Sequence, residues 1–527
     1  MSHYKEKISA RKFIKTVTYF TGFTLKCTPF FDTNLGKIMK KTIIASLFTV
    51  AFASGFAYAE ENKASTEAAT EQVKVEAPAK SAVITEDMGF QASVLVENLD
   101  NPWDMVWGAD GNIWVTERQG KHISIVNPNT AEHKVLYTFE KAFAAPPHQG
   151  VLGMALHPNF LKNKNEDYVF AYYTYSDQPE PKASEFGRIV RLTYDAQTQT
   201  LRDETIVMDK LPAGDDHNAG RLIFGNDGKL YLTLGDNGYN QFGNSCKEIR
   251  SQIIPTTDEI VRADYENYRG KVLRLNVDGS IPEDNPRING VKSHIYAYGL
   301  RNPQGLVFVG KQLFNVDQGP GTDDEVNAIV AGGNYGWPHI AGYQDNQAYR
   351  YVNYSKVENC ESAAQYDGTT IPKGVKAVAQ KESDAELDNF KEPLKTFFTV
   401  PNSYNFNDPK CKGDYICWPT VATTSIAYYP KDGAIKSFQN SLLVTGVKTG
   451  TLYRLPLDAN AQQAQGEVIT HFRTDNRYRM VLVSPDSSKI YVATDSAGYI
   501  MGKDSVPTSE MANKGAILVF EAKKETK

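Results

Sequence analysis

The feature that most constrains this chain is a short strand unit that recurs six times along it. Each unit opens on Gly, Asn, Glu or Ser, continues as a run of β-branched, aliphatic or aromatic residues, and in most cases ends on a polar residue. Runs of this kind, bounded by turn residues, are typical of β-strands. The six units are Gly111–Glu117, Glu166–Tyr172, Gly228–Asp236, Gly310–Asp317, Asn440–Gly446 and Ser488–Asp495.

Six weakly similar strand units in a chain with few amphipathic helices indicate an all-β fold, a six-bladed β-propeller with four strands in each blade. The chain has 527 residues, more than such blades need, so we expect long inserted loops. Asn240–Tyr268 and Gly342–Pro419 are the loop-rich stretches, and loops this long are usually functional. Propeller loops converge on the central channel, where a ligand can bind. A two-sheet sandwich is the alternative, which the length disfavours.

Composition excludes several classes of protein. Hydrophobic residues make up 41% of the chain, which is ordinary for a globular protein. The 57 Lys+Arg and 62 Asp+Glu residues give a net charge of -5, and the pI is near 6.1. A nucleic-acid-binding protein would need a basic face, so we expect no nucleic-acid partner. The mean hydropathy of -0.43 argues against a multi-span membrane protein.

The N-terminal part predicts export. Met39–Lys41 begins a positive segment, Thr42–Phe56 is largely apolar, and Ala57–Ala59 has the A-x-A form of a cleavage site. We therefore expect residues 39–59 to be a signal peptide and the protein to be periplasmic. An N-terminal membrane anchor is the alternative.

The signal peptide divides the chain. Residues 1–38 lie upstream of it and are interpreted as an extension of the gene model, with an unusually long n-region as the alternative. Residues 60–86 are rich in Ala, Glu, Lys, Ser and Thr without an aromatic residue, which predicts a flexible tether. Residues 87–527 are predicted to form the catalytic propeller.

Four cysteines follow the signal peptide, and export makes disulfides plausible. Cys411 and Cys417 are close enough in sequence to close a small loop. Cys246 and Cys360 either pair with each other or remain free buried thiols, and the sequence does not decide between these.

Three segments carry candidate catalytic groups. His217 lies in a polar, Gly-flanked loop and is a natural general base near neutral pH, although most loop histidines are merely exposed. Asp236 at the exit of the third unit can orient a histidine, or it is an ordinary turn residue. Arg301, in the rigid stretch Gly299–Gly305, can stabilise an oxyanion or clamp a carboxylate, or it forms a structural salt bridge.

Three further segments are candidates for ligand binding. The Gly319–Pro320 turn exposes carbonyl groups and Asp323–Glu325 follows, which suits Ca²⁺ or equally a solvated acidic loop. Lys448, Arg477 and Arg479 would suit a multi-carboxylate or phosphate ligand, unless they are scattered surface charge; the two arginines share one face if the chain is extended. Trp418 offers an aromatic face for a planar ligand, or it is a core residue.

Taken together, these segments resemble the soluble, periplasmic glucose dehydrogenases that use pyrroloquinoline quinone (PQQ), a six-bladed propeller family with aldose sugar dehydrogenases as relatives. The resemblance extends from about Leu95 to about Phe520. The long loop after Gln241 favours the glucose dehydrogenase branch. The motifs that carry the resemblance are Asp216–Arg221, Gly235–Gly238, Gly270–Ile281, Arg301–Gly305, Gly332–Pro338, Tyr415–Thr420 and Asn476–Arg479.

The resemblance implies an oxidoreductase that oxidises C1 of glucose and other aldoses to the lactone. Hydride would pass to the C5 carbonyl carbon of PQQ, and electrons then to an external acceptor, a quinone or a cytochrome. His217 is the implied general base, Asp236 holds it, and Arg301 favours the charge that develops on PQQ. The implied sugar contacts are Asp216, Gln241, Phe242, Tyr415, Trp418 and Gln149. The last is a departure, since the family has Gln-Asn where this chain has His148–Gln149.

The cofactors implied by the resemblance are PQQ and Ca²⁺, and no dinucleotide motif G-x-G-x-x-G follows a strand here. The implied PQQ contacts are Asn302, Gln318, Trp418, Thr420, Lys448, Arg477 and Arg479. The carbonyls of Gly319 and Pro320 would hold the Ca²⁺ on PQQ. Glu325 and Tyr335 resemble ligands of additional Ca²⁺. A further Ca²⁺ site, associated with a homodimer, is matched by Ala341, Tyr343, Asp345 and Glu382.

Two other classes of function compete with this interpretation. A Ca²⁺-dependent propeller lactonase would share the fold and the metal, but it would not need the cations Lys448, Arg477 and Arg479. A non-catalytic binding propeller would leave His217 and Asp236 without a purpose. Fold alone does not separate these classes, so the decision depends on the site.

Overall fold

The structure is a computed structural model that describes residues 89–362, 375–409, 415–502 and 505–523. The segments predicted as gene-model extension, signal peptide and tether lie outside these residues, as does Cys411. The described chain is almost entirely β-structure. Its first strand, β1 (Phe90–Val96), joins the last blade and not the first.

Six four-stranded antiparallel sheets form the six blades of the predicted propeller. In each of the first two blades the strands follow one another directly. Blade 1 consists of β2 (Pro102–Trp107), β3 (Ile113–Glu117), β4 (His122–Val126) and β5 (His133–Thr138). Blade 2 consists of β6 (Val151–Leu156), β7 (Tyr168–Tyr175), β8 (Phe186–Asp195) and β9 (Thr200–Pro212).

Blades 3 and 4 contain the large insertions. Blade 3 consists of β10 (Leu222–Phe224), β11 (Leu230–Leu234), β12 (Lys271–Leu275) and β15 (Ile295–Tyr298), interrupted by the hairpin of β13 (Arg287–Ile288) and β14 (Val291–Lys292). Blade 4 consists of β16 (Pro303–Val309), β17 (Gln312–Asp317), β18 (Asp324–Ile329) and β21 (Lys395–Phe397), interrupted by the hairpin of β19 (Tyr351–Val352) and β20 (Ala379–Gln380).

Blades 5 and 6 complete the ring. Blade 5 consists of β22 (Thr423–Tyr429), β23 (Ser441–Gly446), β24 (Gly450–Pro456) and β25 (Ile469–Thr474). Blade 6 consists of β26 (Tyr478–Val483), β27 (Lys489–Thr494), β30 (Ile517–Ala522) and the N-terminal β1, with a hairpin of β28 (Ile500–Met501) and β29 (Pro507–Thr508) before β30. The pairing of β1 with β30 thus joins the two ends of the described chain.

The first strands of the blades line the axis of the propeller. Each contacts the first strand of the next blade, from β2 through β6, β10, β16, β22 and β26 and back to β2. Six apolar clusters fill the spaces between neighbouring blades. In β3, Trp114 packs toward blade 2 while Ile113 and Val115 pack toward blade 6, because alternate side chains leave opposite faces of a strand.

All six units predicted from the sequence are the second strands of the six blades, β3, β7, β11, β17, β23 and β27. The predicted loop-rich stretches hold some regular structure. Asn240–Tyr268 contains the helix α1 (Thr257–Val261), which begins at a capping box between Thr256 and Glu259. Gly342–Pro419 contains β19, β20 and β21, so its assignment as loop missed the outer strand of blade 4. Among the described helices, none is long and apolar enough to cross a membrane.

A disulfide between Cys246 and Cys360 joins the two long insertions. Of the two alternatives that the sequence left open, pairing is therefore the correct one. The two cysteines are separated by 114 residues along the chain. The predicted link between Cys411 and Cys417 stays a prediction, because Cys411 lies outside the described residues.

Candidate active site

A cavity of about 460 Å³ opens at one end of the propeller axis. The loops that precede the first strands and follow the second strands surround it, and all six blades contribute residues. Most of the predicted site residues meet here, although they are spread over more than 250 positions of sequence. Those that line the cavity are Asp216, His217, Gln241, Phe242, Arg301, Gln318, Gly319, Pro320, Tyr415, Trp418, Thr420, Lys448, Arg477 and Arg479.

His217 and Asp236 form a buried pair at the cavity wall. Nδ1 of His217 lies 2.7 Å from Oδ1 of Asp236. Asp236 is itself held, since Oδ1 accepts from the Gly238 amide at 2.8 Å and Oδ2 accepts from Trp337 Nε1 at 2.9 Å. An ionised carboxylate only accepts hydrogen bonds, so Nδ1 carries the proton and Nε2 is left as the acceptor that faces the cavity.

An unfavourable backbone conformation at His217 brings this pair together. His217 has a φ of +40°, in the left-handed region that L-residues seldom adopt. The next strand exit passes very close: a Cβ on Gly235 would lie 1.9 Å from the carbonyl oxygen of His217. Only glycine permits that approach, and it places Asp236 against the imidazole.

Gln241 contacts Nε2 of His217 and links it to Arg301. The Gln241 amide nitrogen lies 3.3 Å from His217 Nε2, and its Oε1 accepts from Arg301 Nη2 at 2.8 Å. Arg301 also donates from Nη1 to the carbonyl of Gln318 at 3.1 Å. The amide of Gln241 therefore marks a position where a hydroxyl group could reach both the base and the guanidinium.

Asp317 fixes the loop that carries Arg301. Its carboxylate accepts from the backbone amides of Arg301 at 2.9 Å and of Asn302 at 2.6 Å. Burial raises the pKa of Asp317 to about 7 despite these hydrogen bonds. Asn302 is fully buried behind the cavity wall and does not line the cavity; its amide donates to Gln318 Oε1 at 2.8 Å.

The cations predicted to bind anionic ligands come from blades 5 and 6. Lys448 Nζ donates to the Trp418 carbonyl and to Thr420 Oγ1, both at 2.9 Å. Arg477 and Arg479 both bind Asp495, with Nε of Arg477 at 3.1 Å and Nη2 of Arg479 at 2.7 Å. The two arginines thus share one face, as the extended chain predicted.

The sequence interpretation missed Arg118 and Asp495, which also line the cavity. Arg118 is 4% exposed, and its Nε and Nη1 have no hydrogen-bond partner among the described residues. Burial lowers the pKa of Arg118 to about 10, which still leaves it charged at neutral pH. Three guanidiniums, those of residues 118, 477 and 479, therefore surround the single carboxylate of Asp495.

Gln149 does not line the cavity, which corrects its assignment as a sugar contact. Its Oε1 is buried against the amide and hydroxyl of Ser184, at 2.5 and 2.9 Å. His148 takes the place at the cavity, where its Nε2 lies 3.1 Å from Oδ1 of Asp216. Burial lowers the pKa of His148, which keeps its imidazole neutral at pH 7.

The remaining metal-binding candidates lie apart from the cavity. Glu325 Oε1 accepts from the Gly342 amide at 2.7 Å, and Glu382 accepts from the amides of Ala341 and Asn346 at 3.1 and 2.7 Å. These carboxylates thus converge on the segment that also contains Tyr343 and Asp345. The Tyr335 hydroxyl is engaged elsewhere, since it donates to the Ala328 carbonyl at 2.7 Å.

The fold and the cavity define a class: six-bladed β-propellers with a buried histidine–aspartate pair and a cationic binding cavity on the axis. Comparison with known proteins narrows this class. The pattern of the family described as Glucose / Sorbosone dehydrogenase matches residues 99–390 and 401–501. Quinoprotein glucose dehydrogenase B of Acinetobacter calcoaceticus is 42% identical over 444 residues, which cover 82% of this chain and 91% of the relative.

Solved structures agree on the fold. The PQQ-bound aldose sugar dehydrogenase of Streptomyces coelicolor aligns with a TM-score of 0.55 at 23% identity, covering 82% of this chain and 98% of that one. The apo-form of the soluble aldose sugar dehydrogenase of Escherichia coli aligns with a TM-score of 0.56 at 20% identity, covering 82% and 100%. The chain belongs to the glucose/sorbosone dehydrogenase family, and it is an oxidoreductase.

Proposed function

We propose that this protein oxidises C1 of glucose and related aldoses to the lactone, with PQQ as its cofactor. The single observation that carries the proposal is the His217–Asp236 pair, which directs Nε2 of His217 toward a cavity lined by four guanidiniums and one ammonium group. The similarity to the Acinetobacter quinoprotein over most of both chains supports the same activity. The comparisons give no support to the lactonase alternative.

The proton transfer follows from the hydrogen bonds of His217. With Nδ1–H donated to Asp236, Nε2 is an acceptor and takes the proton of the C1 hydroxyl group. The Asp236 carboxylate then stabilises the imidazolium that forms, since it lies 2.7 Å away and is held by two other donors. A positioned base of this kind contributes about 10²–10⁴-fold in rate.

The sugar would occupy the space beside Gln241. A C1 hydroxyl that replaces the Gln241 amide at His217 Nε2 would lie near Arg301, whose guanidinium is preorganised by Gln241 and Gln318. Asp216 and His148 lie next to it and offer hydrogen bonds to further hydroxyl groups. Phe242, Tyr415 and Trp418 supply the apolar surface that sugar faces require.

The cavity also fits PQQ, which is planar and carries three carboxylates. Lys448, Arg477 and Arg479 would hold those carboxylates, and the two unpartnered nitrogens of Arg118 offer further donors. Trp418 offers a flat face for the rings, while Thr420 and Gln318 border the same space. Bound PQQ would supply the acceptor for the two electrons and the hydrogen that leave C1.

We also propose that Ca²⁺ binds with PQQ at the carbonyls of Gly319 and Pro320, which line the cavity. Buried acidic residues beside β18 and in the insertion that follows it support further Ca²⁺ sites. Burial raises the pKa of Asp323 and of Glu382 to about 7. In the part of the chain that the structure describes, neither forms an ion pair with a lysine or arginine. Calcium would neutralise this buried charge through hard oxygen ligands.

Two broader proposals concern where the protein works. Export to the periplasm is supported by the signal-peptide pattern of residues 39–59 and by the Cys246–Cys360 disulfide, which needs an oxidising compartment. Assembly as a homodimer is supported by the resemblance of Ala341, Tyr343, Asp345 and Glu382 to a dimer-associated Ca²⁺ site. Electrons would leave through an external quinone or cytochrome.

Reconstitution tests the proposal. Apo-protein covering residues 60–527 is mixed with PQQ and Ca²⁺, separately and together, and reduction of an artificial dye is followed with glucose and with maltose. We expect dye reduction only with both cofactors and an aldose. Calcium-dependent hydrolysis of gluconolactone without dye reduction from any aldose would overturn the proposal.

A further inference from the structure

A cluster of two histidines and two carboxylates lies on blade 1, outside the cavity. Glu117 ends β3, His122 begins β4 and His133 begins β5. Nε2 of His122 and Nε2 of His133 lie 3.1 and 2.8 Å from the same oxygen, Oε1 of Glu117. Possible ligand atoms of Asp100, Glu117 and His122 all lie within 4.8 Å of one another.

The hydrogen bonding of this cluster is incomplete. Nε2 of His122 is buried, and its 3.1 Å contact with Glu117 Oε1 does not meet the geometry of a hydrogen bond. The side chain of Glu117 is only 2% exposed, and its Oε1 already accepts from Ser124 Oγ at 2.5 Å. A buried nitrogen without a partner is destabilising unless another group satisfies it.

We infer that Asp100, Glu117, His122 and His133 form a binding site for a transition-metal dication, with Zn²⁺ as the best match. Imidazole nitrogens with carboxylate oxygens suit Zn²⁺, Ni²⁺ or Cu²⁺, whereas Ca²⁺ takes oxygen ligands alone. Neighbouring ligands on a tetrahedral Zn²⁺, with Zn–N distances of about 2.0–2.1 Å, lie roughly 3.3 Å apart. The nitrogen–oxygen separations in the cluster are close to that value already.

The place of the cluster in the fold gives the metal a role. Asp100 lies in the segment that leads from β1 in blade 6 to β2 in blade 1, and its backbone amide donates to Glu117 Oε2 at 2.7 Å. The flanking residues Leu99 and Asn101 bind Gly515 and Ser496 of blade 6. A metal bound to Asp100 and to β3–β5 would therefore tie the segment that closes the ring to blade 1.

Titration calorimetry with Zn²⁺ tests this site on the full chain. The protein is treated with chelator, returned to buffer with Ca²⁺, and titrated with Zn²⁺ beside the variants His122→Asn and His133→Asn. His157→Asn, a histidine of blade 2 outside the cluster, is the matched control. We expect one site per chain, a higher thermal midpoint with Zn²⁺, and affinity lowered by about tenfold or more in both cluster variants but not in the control.

Cobalt provides a readout that does not depend on the variants. Co²⁺ bound to the wild-type cluster should show the visible absorption of a four-coordinate site, and Zn²⁺ should displace it. The absence of saturable one-to-one binding by the wild type would overturn the proposal and leave a hydrogen-bonded ion-pair cluster. Binding that is unchanged in both variants would overturn it as well, by placing the metal elsewhere. None of the four residues lines the cavity, so sugar oxidation should not depend on Zn²⁺.

Discussion

The proton on the imidazole of His217 is placed by one carboxylate, and the first prediction concerns that residue. Asp236→Asn should lower kcat by about 10²–10⁴-fold with little change in KM for glucose, because Asp236 is buried and does not line the cavity. An amide in this position can donate to Nδ1, which would leave Nε2 protonated and unable to act as a base. Steady-state dye reduction checks this, with Asp195→Asn as control, since Asp195 ends β8 and does not line the cavity. Equal losses in both variants would contradict it.

Asp495 makes a prediction about pH. Burial alone would raise its pKa, but the charges of Arg479, Arg477 and Arg118 outweigh burial and lower it. An aspartate in the unfolded chain has a pKa of about 3.9. As the pH falls below that value, the unfolded state therefore binds more protons than the folded state. Asp495 therefore contributes stability above about pH 4, and this contribution is lost as the pH falls through its lower folded pKa.

The test is urea unfolding of Asp495→Asn and wild type at several pH values. At pH 7 the variant should lose about 3–5 kcal/mol of unfolding free energy, because the buried arginines lose their partner. The difference should shrink as the pH is lowered from 5 toward 2. A difference that stays constant over this range would show that Asp495 does not titrate in this way.

At the residue scale, the sequence contains a repeated feature of the site, a carboxylate at the end of a strand unit. Four of the six strand units end on a buried carboxylate, namely Glu117, Asp236, Asp317 and Asp495. Asp317, Glu117 and Asp495 each bind the segment that precedes the first strand of their own blade, in the case of Asp495 through Arg477. Reading the acidic exits as a repeat would have found Asp495. The place of Arg118 in the cavity was not predictable, because nothing in its local sequence distinguishes it from an exposed arginine and only the fold buries it there.

At the scale of elements, the predictable strands were those with two buried faces. The second strand of each blade packs against both neighbouring blades, which requires the continuous apolar runs that the sequence displays. The outer strand β21 has three residues, Lys395–Phe397, and lies deep in a long insertion, so it leaves no recognisable pattern. The sequence also could not show that His148 and not Gln149 lines the cavity, because neighbouring residues face opposite sides and a change of one position decides between them.

The disulfide makes a prediction for the two insertions. Cys246→Ser/Cys360→Ser should lower the unfolding free energy by about 2–5 kcal/mol, because the link closes a long loop. The same variant should raise KM for glucose, since Gln241 and Phe242 lie only a few residues before Cys246. Thermal unfolding and steady-state kinetics check both effects, with reductant-treated wild type for comparison. An unchanged midpoint and an unchanged KM would contradict the prediction.

At the scale of the whole molecule, one buried arginine joins several blades near the axis. Arg221 precedes β10, forms an ion pair with Asp104 of blade 1, and donates to the carbonyls of Gln304 in blade 4 and Thr424 in blade 5. Its guanidinium also lies 4.2 Å from the centre of the Trp103 ring. No local sequence pattern indicates such a contact, because its partners are up to 203 residues away.

Arg221→Met should therefore destabilise the entire propeller. Removal of one partner of a buried ion pair costs about 3–5 kcal/mol, because Asp104 keeps a buried charge without compensation. Adding Asp104→Leu should recover part of that loss. Urea unfolding followed by tryptophan fluorescence measures both variants. If the double variant is instead less stable than Arg221→Met alone, Asp104 and Arg221 do not form the pair that joins the blades.

The most direct test of the central claim is a single turnover without oxygen. Protein loaded with PQQ and Ca²⁺ is mixed rapidly with glucose, and the absorbance of the cofactor and the lactone formed are followed in wild type and His217→Asn. We predict that the wild type reduces its cofactor and forms one lactone per site, and that the variant binds PQQ equally well but reacts about 10²–10⁴-fold more slowly. Equal rates in both proteins would show that His217 is not the base, and the account of this site would fail.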